Sequence, residues 1–340
     1  MNPRHRRMLI PGLLIALMVV VVIAAVVDRA DAADRGDLVM SDPRITESSG
    51  LAVSRTHEQL AYTVNDSGHD AEVFAIDLRT GEVVGVTTVE ATFRDVEALA
   101  LRDGTLWIAD LGDNRGERDD AALFAIDEPG PTTATVSARR HPVALAGGPA
   151  DVEALLAEPG TDRLHVVTKS MSMATLHAVS EADLAEDRVT VLEVERGGLP
   201  AMVTDGAWSP DGETIALLSY GTIWTLDPSD WSVVDRLAHP LSQSETLAFV
   251  DDTTVLVGRE GRDSPLRRVE LAIASSAPTP ATIATAHTSG AGVAASAPDR
   301  TVLLGGAGLL AAVALGAAGL VVGRGRRRSR RRTGTRRRVR

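Results

Sequence analysis

Asp95-Val96-Glu97-Ala98-Leu99 returns as Asp151-Val152-Glu153-Ala154-Leu155, and this repeat organises the chain around it. Three looser copies keep an acid or hydroxyl, a small residue and then apolar residues: Ser49-Gly50-Leu51-Ala52, Asp205-Gly206-Ala207-Trp208 and Glu245-Thr246-Leu247-Ala248. With the markers aligned at 49, 97, 153, 205 and 245, the spacing is roughly 40 to 56 residues, the range of architectures built from one repeated supersecondary unit. Whether that unit is helical or made of strands depends on its content.

The content is strands. Unit one offers four short runs, 50–54, 60–65, 73–77 and 83–89, each alternating or apolar throughout and bounded by Gly, Asp or Asn. Unit two repeats the plan at 98–101, 106–109, 122–127 and 133–138. Its third run, Leu123-Phe124-Ala125-Ile126-Asp127, nearly copies Val73-Phe74-Ala75-Ile76-Asp77. Unit three gives 154–157, 164–168, 175–179 and 189–194, with a short polar insert at 181–187 that reads as helical. Unit four gives 206–209, 215–219, 223–227 and 233–237; its Ser209-Pro210-Asp211-Gly212 presets a tight turn through Pro φ and a Gly that tolerates positive φ. Unit five gives 246–250, 255–258 and 266–271 and is one strand short. The orphan strand 37–40 at the start can pair beside 266–271 and close a ring, which removes exposed sheet edges. The expectation is an all-β, single β-propeller of five four-stranded blades; a degenerate blade hidden in the long unit two keeps six open.

The flanks read differently. Residues 1–32 carry Arg4, Arg6 and Arg7, an apolar run from Met8 to Val27 and then Ala30-Asp31-Ala32, the pattern of a signal peptide. The run is also long enough to span a bilayer, so both cleavage after Ala32 and retention as an anchor are open. After the propeller ectodomain at 33–271, residues 272–300 form an Ala/Ser/Thr/Pro-rich linker that lacks the apolar content of a core. Residues 301–323 are uncharged and long enough for a transmembrane helix, and the Arg-rich tail 324–340 follows directly. The positive-inside rule places that tail in the cytoplasm and the ectodomain outside, as a single-pass protein of the cell membrane held by its C-terminal helix.

The formal net charge of −11 hides an asymmetry: residues 34–299 hold 44 Asp and Glu against 19 Arg and Lys, and 324–340 hold eleven arginines. An ectodomain so acidic repels phosphate backbones, which argues against a nucleic-acid partner. Cysteine is absent, so neither a disulfide framework nor a Cys-ligated metal is available.

Ala207-Trp208-Ser209-Pro210-Asp211-Gly212-Glu213-Thr214-Ile215-Ala216 is similar to the strand-turn-strand motif of WD-repeat-like and Tol-Pal-system members of the β-propeller superfamily. Ser49-Gly50-Leu51-Ala52, Asn65-Asp66-Ser67-Gly68, Asp95-Val96-Glu97 and Leu111-Gly112-Asp113-Asn114 resemble exported actinobacterial propellers grouped with esterase-like phytases, over most of 42–271. Both resemblances imply a fold and carry over no catalytic residues.

In a propeller the entrance of each innermost strand and the exit of each second strand share one face. That brings together Ser49, Glu97, Glu153, Asp205 and Glu245, with Glu47, Asp95 and Asp151 two residues upstream of the first three. Around them come Asn65, Asp66, Asp110, Asp113, Asn114, Lys169, Ser219, Tyr220, Arg259 and Glu260. Converging carboxylates repel unless protonated or neutralised by a cation, and Ca²⁺, which takes six to eight oxygen ligands, suits such a set. The competing reading is structural, each acid accepting backbone N–H groups at its own strand entrance.

No G-x-S-x-G elbow, H-E-x-x-H, P-loop or EF-hand spacing occurs. His69, beside Asn65, Asp66 and Asp70, is the best-placed histidine for acid–base work. Two function classes follow: an extracytoplasmic module that binds or senses a small-molecule or protein ligand, and a Ca²⁺-dependent hydrolase of phosphoesters, lactones or glycosides using the axial acids.

Overall fold

The computed structural model describes residues 37–241 and 243–272. The expected signal segment, linker, membrane span and arginine tail lie outside them. Among the described residues no helix is long and apolar enough to cross a membrane; the single helical turn is a 3₁₀ turn at Glu181–Asp183, inside the polar insert of unit three.

The chain is a series of antiparallel strand meanders. A short β1 (Leu38–Met40) precedes β2 (Ser48–Val53), β3 (Leu60–Asn65), β4 (Glu72–Asp77) and β5 (Val83–Val89), which pair in sequence order. Next come β6 (Ala98–Arg102), β7 (Thr105–Asp110), β8 (Ala122–Asp127), β9 (Ala134–Val136) and β10 (Arg139–Leu145). Units three and four supply β11 (Val152–Ala157), β12 (Arg163–Thr168), β13 (Ala174–Ser180), β14 (Thr190–Leu199), β15 (Val203–Trp208), β16 (Ile215–Ser219), β17 (Thr222–Leu226) and β18 (Val233–Ala238). The last are β19 (Ser244–Phe249), β20 (Thr254–Arg259) and β21 (Ser264–Glu270). β1 pairs antiparallel with β21, Leu38 opposite Leu266 and Met40 opposite Ser264, so the orphan strand completes the final sheet. Arg267 fastens it by donating through Nε (2.9 Å) and Nη2 (2.7 Å) to Asp37 Oδ2.

The first strand of each meander is the end strand of its sheet, and these strands neighbour one another in a circuit, β2 to β6 to β11 to β15 to β19 and back to β2. This arrangement is propeller-like. Its apolar side chains fill five seams between successive sheets, for example Tyr62 and Val64 against Ile108 and Phe124, and Leu155 and Val166 against Trp107 and Leu123. The closing seam sets Met40, Leu256 and Leu266 against Leu51, Phe74 and Ile76. Each fully buried Leu, Ile or Phe contributes about 1.5–3 kcal/mol, so the seams supply the main cohesion of a fold without helices.

Unit two departs from the expected plan. The run 133–138 contributes β9, which leaves its own unit and pairs in parallel with β5, Thr87 opposite Ala134. The fourth strand is instead β10, antiparallel to β8 with Pro142 opposite Ala122. β10 is also joined in parallel by β14 over Val143–Leu145, so two meanders share one sheet. Arg139-Arg140-His141-Pro142 does not read as a strand because it is polar and holds a proline; it is tolerated because this stretch pairs with β8 alone, β14 joining only from Val143, so the proline faces an unpaired side. β14 also runs five residues beyond the expected 194, past two register shifts against β13.

Candidate cation-binding face

The repeated acid sits at a repeated irregularity. β2, β11, β15 and β19 each shift register against their second strand, at Ser49/Leu51, Val152/Ala154, Val203/Asp205 and Ser244/Thr246. In β6 the Glu97 N–H bonds to the Ala109 carbonyl at 3.0 Å although Ala98 is the residue in register with Ala109. Such bulges re-aim one side chain out of the strand alternation: the unpaired residue is the marker itself, Glu153 and Glu245, in β11 and β19, and its neighbour, Gly50 and Thr204, in β2 and β15. Gly50 takes φ +66° at its bulge, and a Cβ there would come within 2.7 Å of the Leu99 nitrogen. Two residues upstream of the markers, the carbonyls of Glu47, Asp95, Asp151 and Gln243 accept from the N–H groups of Asp66, Gly112, Lys169 and Glu260. Those second-strand exits are thereby held beside the acids.

The acids divide into two groups. Carboxylate oxygens of Asp66, Asp95 and Glu97 lie within 4.8 Å of one another, and so do those of Glu97, Asp151 and Glu153. Glu97 belongs to both triads. Burial, with Glu153, Asp66 and Asp95 nearby, pushes the Glu97 carboxyl up to about 11. Burial likewise raises Glu153 to about 8, although Lys169 opposes the rise from 2.8 Å. Asp95 is raised to about 6 by burial and the Asp66 charge, and Glu245 to about 7 by burial against the pull of Lys169. Ser49 Oγ donates to the Glu97 carbonyl at 2.9 Å and to its Oε2 at 3.2 Å.

Space for the acids comes from Gly112. A Cβ at that position would lie 2.6 Å from Glu97 Oε1 and 2.7 Å from Asp95 Oδ2. Asp151 is oriented by the Asp113 N–H, which donates to its Oδ1 at 2.7 Å.

The other expected residues have different work. Asp205 is fully buried; its Oδ1 accepts from the Gly206 N–H at 2.8 Å and its Oδ2 from the Leu247 N–H at 2.6 Å, so it ties β15 to β19. Asn65 accepts from the N–H groups of Thr46 and Glu47 and donates to the Arg44 carbonyl, fixing the loop before β2. Asp110 holds Arg118 at 2.9 Å and the Asp95 N–H at 2.9 Å. Asp113 also accepts from the N–H groups of Glu117 and Arg118, and Asn114 is exposed in that loop. Arg259 is held to Ser264 through its backbone. His69 bonds Thr46 Oγ1 at 2.9 Å and lies 3.6 Å from Glu47, on the rim rather than among the triads.

Sequence reasoning placed all four marker acids together and did not single out Asp66, Asp95 and Asp151 as partners of Glu97 and Glu153. The signal was present: only units two and three carry the full D-V-E, and they are adjacent.

No protein-family model matches the sequence, and no curated protein matches it. Among solved structures the chain is similar to Kuenenia stuttgartiensis hydrazine synthase, at 16% identity and a TM-score of 0.36 over 63% of this chain, and spans 56% of that chain's length. It is also similar to the Myceliophteria thermophila Cps50 (Swd1) beta-propeller domain, at 14% identity and a TM-score of 0.39, over 66% of this chain and 84% of that one. The propeller-like fold assignment rests on the strand pairing and the circuit of inner strands.

Proposed function

We propose that the protein is an extracytoplasmic binding module, a five-bladed propeller closed by β1, whose acidic face holds a hard divalent cation, Ca²⁺ first, between Asp66, Asp95, Glu97, Asp151 and Glu153. The observation that carries this reading is the pair of carboxylate triads joined at Glu97. Oxygens that share one Ca²⁺ at 2.3–2.6 Å lie within about 5.2 Å of one another, a spacing each triad already meets. The donor set is all oxygen, as a hard cation requires, and without a cation the buried Glu97 carboxyl is held there by retaining its proton. Calorimetry and melting with CaCl₂ test it. At a hundred times Kd the ion stabilises by about 2.7 kcal/mol, a rise of roughly 5–10 °C for a domain of this size. Glu97→Gln should remove most of that rise, and the control Glu193→Gln on exposed β14 should keep it. No rise in the wild type, or equal loss in the control, returns these acids to a structural role.

The flanking sequence supports presentation at the cell surface: signal segment 1–32, tether 272–300, span 301–323 and cytoplasmic tail 324–340. Protease added to intact cells should remove an epitope at Thr288 and spare one at Arg340; the reverse pattern sinks this topology.

A hydrolase, the function class of the phytase-like resemblance, is the second reading, favoured by one feature. Lys169 stands 2.8 Å from Glu153 while Glu97 receives the neutral Ser49 hydroxyl, and two neighbouring carboxyls in unlike environments are what general acid–base catalysis uses. Calcium-dependent turnover of a phosphoester, lactone or glycoside panel, lost in Glu153→Gln, would select it over the binding module.

A further inference from the structure

The inner strands run away from the acidic face and end around a second opening, a cavity of about 470 Å³. Its wall is formed by the later residues of all five inner strands and turns that follow them, with Trp208, Glu158, Glu128, Arg55 and Arg102 among its residues. The size is within the usual range for small-molecule sites.

Four charged side chains on this wall already have hydrogen-bond partners, and Asp103, exposed on its rim, lies 3.4 Å from Arg102 Nε. Glu128 accepts from Ser54 Oγ at 2.5 Å, Thr56 Oγ1 at 2.6 Å and Tyr62 OH at 3.3 Å. Glu158 is paired with His165 Nε2 at 3.0 Å, Arg55 donates to the carbonyls of Phe249 and Val250 at 2.9 Å, and Arg102 meets Glu181 at 2.6 Å. An ionic ligand would have to displace these bonds, whereas a hydroxyl can add to the lone pairs left on the Glu128 and Glu158 carboxylates. Trp208 is partly exposed and fixed from behind: its Nε1 donates to the Gly212 carbonyl at 3.2 Å, and its ring packs on His165 at 5.3 Å and edge-on to Trp231 at 5.4 Å. β2, β6, β11, β15 and β19 each end a sheet, so on their free side N–H and C=O groups alternate without a neighbouring strand. A hydroxyl donates and accepts at once and so suits such an edge, and the C–H face of a saturated ring suits an indole.

We propose that this opening is a second binding site, distinct from the acidic face, for a neutral hydroxyl-rich ring compound of mono- or disaccharide size. The aromatic platform holds one ring face, and the strand edges with Glu158 and Glu128 take the hydroxyls.

Calorimetry on the purified full-length chain tests this with maltose, cellobiose and trehalose, using glucuronate and decanoate as charged and apolar probes. At least one neutral disaccharide should bind saturably, about tenfold more weakly in Trp208→Ala and several-fold more weakly in Glu158→Gln. Trp208→Phe keeps an aromatic ring beside Trp231 but loses the Nε1 bond to Gly212; measured well below its own melting temperature it should still bind several-fold more weakly, which separates loss of the platform from loss of the fold. Glu97→Gln should leave saccharide binding unaltered, so failure of the cation site and failure of this one are distinguishable. Absence of binding by all three sugars, tighter binding of either probe, or sugar binding indifferent to Trp208→Phe and Glu158→Gln would each overturn the proposal.

Discussion

Lys169 Nζ lies 2.8 Å from Glu153 Oε1 and 5.4 Å from the centroid of the Tyr220 ring, so the one lysine of the chain bridges the acidic face of unit three and the second-strand exit of unit four. Both partners are largely buried, the side chains 16% and 3% exposed. Above about pH 8, where Glu153 is ionised, removing Lys169 leaves that charge without compensation, at a cost of about 3–5 kcal/mol. Lys169→Met should therefore lower the melting temperature by roughly 6–20 °C. Glu153→Gln added to Lys169→Met should recover most of the loss, because no unpaired charge remains.

The raised carboxyls make stability fall as pH rises. A folded-state pKa above the unfolded value means the native chain holds protons that the unfolded chain has released, so the stabilisation is complete below about 4 and is lost as pH climbs through the folded values. Asp95 and Glu245 pass through theirs at about 6 and 7, Glu153 at about 8 and Glu97 at about 11. Burial lowers His141, His165 and His239, which act in the opposite sense below about 6.5. The clear window is therefore pH 7 to 9, where each native proton still held costs about 1.4 kcal/mol per pH unit. Calcium-free melting temperatures should decline across that window. Glu97→Gln should flatten the decline, and a flat wild-type profile would show that these carboxyls are already ionised.

Gly112→Ala should close the cation site without opening the core. The new Cβ would stand 2.6 Å from Glu97 Oε1, so the carboxylates must move apart to admit it. Calorimetry should show calcium affinity falling at least tenfold. Asp205→Asn is the contrasting change. It disrupts bonds to the Gly206 and Leu247 N–H groups and should cost about 1–3 kcal/mol of stability. Its calcium affinity should stay near wild type.

Deleting residues 37–41 should destabilise the whole domain. The deletion removes β1 from β21, Met40 from the closing seam and Asp37 from Arg267. Denaturant unfolding should shift as one transition to a lower midpoint. An unchanged midpoint would mean that the last sheet stands without β1.

The local plan was legible in the residues. Period-two alternation, Gly- and Asp-bounded runs and the five markers specify strands and their order, because strand formation and tight turns depend on near neighbours. The missing strand of unit five and the orphan at 37–40 together implied the β1–β21 pairing. Where a strand crosses to another unit, local reading failed: Ala134-Thr135-Val136 looks the same whether it serves its own sheet or β5. The site has the same division. Sequence periodicity set an acid at each entrance of units two to five. Only the tertiary structure decided that Asp205 is consumed by two backbone N–H groups while Glu97 and Glu153 meet Asp66, Asp95 and Asp151. The physical reason is that bulges, the close approach allowed by Gly112 and the spacing of adjacent sheets set distances of a few ångströms between residues tens of positions apart, and no local pattern encodes those distances. The cavity around Trp208 is a further case, since its wall takes one stretch from each of five units and exists only once they stand in a circuit.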